Sequence, residues 1–162
     1  MTLAWRLWVV VLMVLAALVT AYGMRVGVGS AWWPIPALWL TTTLAAFGLS
    51  IWASGGFILL GLAMDFMGEA PVGAWPLALL SAYAVALVAW DRQPPIRVIS
   101  AELISLVGGC IVISLTLGVA AAIAGHPGFS RNALTGDFMM TALMYPLIRF
   151  LILPASIRVA RR

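Results

Sequence analysis

Lysine is missing altogether from this chain of 162 residues, and charge of any sign is scarce, at 9% of positions. Soluble domains carry about 25% charged residues, so a soluble enzyme or a solvated interaction domain is a poor fit. There is one histidine, His126, and one cysteine, Cys110. Single copies exclude an intrachain disulfide and a histidine-based metal cluster, and with Cys110 inside an apolar run and His126 in a His-Pro-Gly turn no Cys/His nucleophilic couple is expected. No Walker or dinucleotide-binding glycine motif is present, so no cofactor is expected. The pI of about 10.2 suggests nucleic acid at first sight. The nine arginines do not support it, being scattered or placed at the ends of apolar runs. That is the distribution of topology signals, not of a phosphate-binding surface, and no nucleic-acid partner is expected.

What is abundant is apolar side chain. Hydrophobic residues make up 64% of the sequence and the mean hydropathy is +1.12. The composition predicts an all-α membrane protein, a single compact bundle over residues 1–162. Six hydrophobic segments can be counted, at about 3–23, 36–52, 54–67, 72–90, 98–124 and 138–157. The first resembles a signal peptide in its apolar core, but more apolar segments follow it, so it reads as a retained helix. Pro36 suits the first turn of the second helix, and Trp32 and Trp33 suit an interfacial belt. The third segment falls short of the roughly 17 residues a spanning helix needs. It is joined to the second through Ala53-Ser54-Gly55-Gly56, which predicts a tight hairpin, with one long kinked helix as the alternative.

Six spans place both termini on one side. If that side is the cytoplasm, Arg6, Arg92, Arg97, Arg158, Arg161 and Arg162 lie inside, and only Arg25 and Arg131 outside. This bias follows the positive-inside rule and predicts a multi-pass protein of the bacterial inner membrane, with membrane lipids around it.

One acid lies where acids are costly. Asp65 sits within an otherwise apolar segment, where a carboxylate costs about 2.5–3.5 kcal/mol on insertion scales. Gly61 lies one turn before it on the same face, and Phe57 continues that face. A glycine there lets another backbone approach. Gly68, Pro71 and Gly73 then turn the chain. Asp65 is therefore either a carboxylate that docks a partner or cation, or an internal acid that orients helices. Its own partner could be Arg149, the one basic residue well inside a span. The two lie at roughly similar depths when counted at about 1.5 Å per residue. Tyr83 and Thr41, Thr42 or Thr43 are alternative donors.

In the fifth segment, Cys110, Ser114, Gly118 and Ala122 recur at four-residue spacing, as do Ala101, Ser105 and Gly109. Either row could let another helix approach, from within the chain or from a partner. Glu102 suits a helix N-terminus. Tyr145-Pro146 should kink the last helix and free a carbonyl near residue 142. Trp5, Trp8, Trp75 and Trp90 read as interfacial anchors.

The stretch Gly56-Phe57-Ile58-Leu59-Leu60-Gly61-Leu62-Ala63-Met64-Asp65, with Gly68, Pro71-Val72-Gly73 and Leu77–Leu87 including Tyr83, resembles the signature region of the bacterial rod shape-determining protein MreD family. Chain length, six-segment layout, a proline in the last helix and a short basic tail are similar too. The Glu69-Ala70 spacer is more acidic than the family's Ser/Gly turn. The resemblance implies a six-helix bundle similar to the substrate-binding subunits of energy-coupling-factor transporters. It also implies a non-enzymatic subunit of the rod complex, or elongasome, which supports lateral peptidoglycan synthesis. The partners implied are an MreC-like single-span protein, a RodA-type glycosyltransferase with its transpeptidase, and, indirectly, MreB filaments. Gly61, Asp65, Pro71 and Gly73 fall on the motif positions. The alternative is a vitamin-type transporter subunit, in which Asp65 and Arg149 would line a substrate pocket.

Overall fold

The computed structural model describes residues 10–19, 35–67, 71–92, 98–125 and 131–152, and these are helical with short connections and no strand. The helices are α1 (Val10–Val19), α2 (Pro36–Ala45), α3 (Ile51–Met67), α4 (Ala74–Arg92), α5 (Val98–Ala124) and α6 (Arg131–Ile152). Two of them, α4 and α5, are long and apolar enough to cross a membrane. α1 and α3 are shorter apolar helices.

Helix α2 is the innermost element. It begins with Pro36 at its first turn, where the missing N–H costs nothing, and all ten of its residues are buried. Its three consecutive threonines fit an apolar interior because each hydroxyl bonds locally. Thr41 and Thr42 both donate to the Leu38 carbonyl, and Thr43 donates to that of Trp39. α2 packs against α4, α5 and α6, and only slightly against its sequence neighbour α3.

The most extensive helix–helix packing is between α4 and α5. Ala78, Ala82 and Ala86 form a four-residue row on α4, all fully buried. On α5, Ala101, Ser105 and Gly109 form a second buried row, with Gly109 beside Ala82. A Cβ on Gly109 would come 2.6 Å from Leu38 Cδ1 and 3.7 Å from Ala82 Cβ, and one on Gly108 would come 2.7 Å from Val85 Cγ1. Small residues on both sides let the two backbones approach. The face of α5 turned away from the bundle carries Ile99, Leu103, Val107, Ile111, Leu115, Val119 and Ile123, all exposed.

Several helix limits differ from those expected. The second helix stops at Ala45 instead of residue 52, and a real break separates it from α3, so neither a continuous kinked helix nor a turn at Ala53–Gly56 is formed. Gly48, at φ +83°, takes the left-handed conformation that ends the helix. Ala53–Gly56 are helical, inside α3, where Gly56 faces Met13 of α1. The fourth helix starts at Ala74, two residues after the expected start at 72, and Pro71 and Gly73 lie in the turn before it. α6 starts at Arg131, seven residues before the apolar run, because a polar first segment is compatible with helix though not with an apolar surround. The first segment is described only over 10–19, and residues 153–157 of the last lie outside the described residues.

Candidate functional site

The chemistry converges on the turn between α3 and α4. Asp65 is in the last turn of α3, 4% exposed, on a buried face with Phe57, Gly61 and Met64. Its carboxylate reaches forward along the chain. Oδ2 accepts the Gly73 N–H at 2.6 Å, and Oδ1 accepts the Trp75 N–H at 3.0 Å. The donors at the start of α4 can then be followed one by one. Gly73 and Trp75 donate to Asp65, Ala74 donates to the Pro71 carbonyl, Pro76 has no N–H, and Leu77 closes the first helical bond to Gly73. Asp65 is thus the N-terminal cap of the following helix, supplied from the preceding one. A negative side chain also meets the positive end of the α4 dipole.

Gly61 makes this possible. A Cβ there would fall on the backbone nitrogen of Pro76, 2.6 Å from its Cα and 2.8 Å from its Cδ. α3 therefore touches the first turn of α4 backbone to backbone, one turn below the carboxylate. Gly73 has φ +93°, a conformation that delivers its N–H to Asp65 and favours glycine. Gly68 lies outside the described residues, as do Glu69 and Ala70.

At the other end of α3 a phenol does similar work. Tyr83 of α4 donates to the Gly48 carbonyl at 2.9 Å and accepts the Ser50 N–H at 3.2 Å. Its ring packs on Phe57, with centroids 5.2 Å apart. Two indoles complete the set. Trp90 Nε1 donates to the carbonyl of Thr42 in the last turn of α2, and Trp39 Nε1 donates to that of Thr141 in α6. The Thr141 hydroxyl accepts the Ile35 N–H, at the start of α2.

The suggested donors to Asp65 are placed elsewhere. Tyr83 holds the α2–α3 turn, and the three threonines bond within α2. Arg149 is in α6, but its side chain lies outside the described residues. Trp75 and Trp90 are not free interfacial anchors: Trp75 is buried, and Trp90 bonds to α2. Trp5 and Trp8 lie outside the described residues. α6 continues through Pro146, and the carbonyl taken by an outside donor is that of Thr141, one residue before the expected one. Glu102 is buried, and Arg97 lies outside the described residues. On α5, Cys110, Ser114 and Gly118 are half-buried and Ala122 is exposed, so this ridge is not the one closed by α4. A Cβ on Gly118 would meet nothing within 4 Å.

Sequence reasoning missed Pro76 and the α4 alanine row. The first had a signal in the pair Trp75-Pro76, since a proline in the first turn marks a helix start. The second was visible as alanine at every fourth position. Among the described residues no group of three or more His, Cys, Asp or Glu side chains could hold a metal ion. The arrangement as a whole is a joint: polar groups from one helix close the backbone ends of another. The chain matches no protein-family model, no curated protein and no solved structure.

Proposed function

We propose that this chain is a multi-pass membrane protein of the bacterial inner membrane, a six-helix bundle with both termini cytoplasmic, and that it works as a non-enzymatic scaffold of the rod complex. In this reading it binds the transmembrane helix of an MreC-like partner and positions a RodA-type glycosyltransferase and its transpeptidase, with MreB filaments reached indirectly. The rod-complex assignment rests on the resemblance over residues 56–87. The scaffold role is supported by one observation: both oxygens of Asp65 accept backbone N–H groups of the chain itself. A carboxylate engaged this way sets the angle between two helices. It is a poor recognition group for a small substrate, which would have to displace two charge-assisted bonds. The long exposed apolar face of α5 and the exposed side of α3 suit lipid and helical partners.

The test is deletion in a rod-shaped host together with affinity purification of the full chain. The expected result is loss of rod shape and recovery of an MreC-like protein with the tagged chain. Unchanged cell width after deletion, with no such protein recovered, would sink the proposal.

A further inference from the structure

We draw no further inference here: the strongest candidate, the half-buried ridge of Cys110, Ser114 and Gly118 on α5 with open space beside Gly118, carries nothing because the Ser114 hydroxyl is already bonded to the Cys110 carbonyl and nothing in the structure shows what covers the ridge.

Discussion

The two ends of α3 are closed by different chemistry. At the α3–α4 turn a carboxylate accepts two N–H groups, and at the α2–α3 turn a phenol accepts one N–H and donates to one carbonyl. The difference follows from the backbone groups each turn leaves over. A helix start exposes donors only, so the matching side chain is an acceptor with two oxygens. A turn between a helix end and a helix start exposes one of each, so the matching group must donate and accept. Surroundings differ as well. The donor at Trp75 is buried, whereas Gly48 is exposed and Ser50 half-buried, so water can replace the phenol more easily than the carboxylate.

That contrast sets an order of effects, measurable as unfolding free energies in mixed detergent micelles. Asp65→Ala leaves two donors without partners, and at about 1–3 kcal/mol for each it should be the most damaging change, roughly 3–5 kcal/mol. Gly61→Ala drives a methyl into the Pro76 backbone and should cost about 1–3 kcal/mol, with weakened α3–α4 packing read by cysteine crosslinking. Asp65→Asn keeps one acceptor and turns an amide toward the other N–H. It should cost less than Asp65→Ala and about as much as Gly61→Ala, at about 2 kcal/mol, and a value near zero would break the account of the cap. Tyr83→Phe keeps the ring against Phe57 and removes both bonds, which water can partly replace, so about 1 kcal/mol is expected. If Tyr83→Phe proved costlier than Asp65→Ala, the ranking by burial would be wrong. Gly118→Ala meets open space and should change stability by less than about 1 kcal/mol, in the stabilising direction.

Much of this was readable before any coordinates. The apolar composition announced helices, and the bounds of α5 coincide with the apolar run from Val98 to Ala124 because Gly125 and the Pro94-Pro95 pair punctuate it. Asp65 stood out because an acid among apolar residues has few cheap solutions, and Gly61 because it shares its face. What could not be read was the partner of Asp65. Side-chain donors can be scanned for in a sequence, but the donors here are backbone N–H groups, which every residue except proline carries. The break after α2 was misplaced for a related reason. The pair Gly55-Gly56 looks like a stronger breaker than Gly48 alone, yet two helical glycines are tolerated when one makes room for Met13. Likewise, both small-residue rows of α5 look alike on paper. Only the alanine row on α4 decides which one is covered.

Helix α2 carries a consequence for how the chain is made. Everything that encloses it, from α4 to α6, leaves the ribosome later, so for a time this helix must exist without neighbours. Its hydroxyls would be a liability during that wait if they relied on distant groups. They rely on the carbonyls of Leu38 and Trp39, three or four positions back, which are in place as soon as the first turns form. The threonine triplet is therefore ready for an apolar surround before any tertiary structure exists, and assembly then adds the bonds of Ile35 and the Trp39 indole to Thr141 and of the Trp90 indole to Thr42.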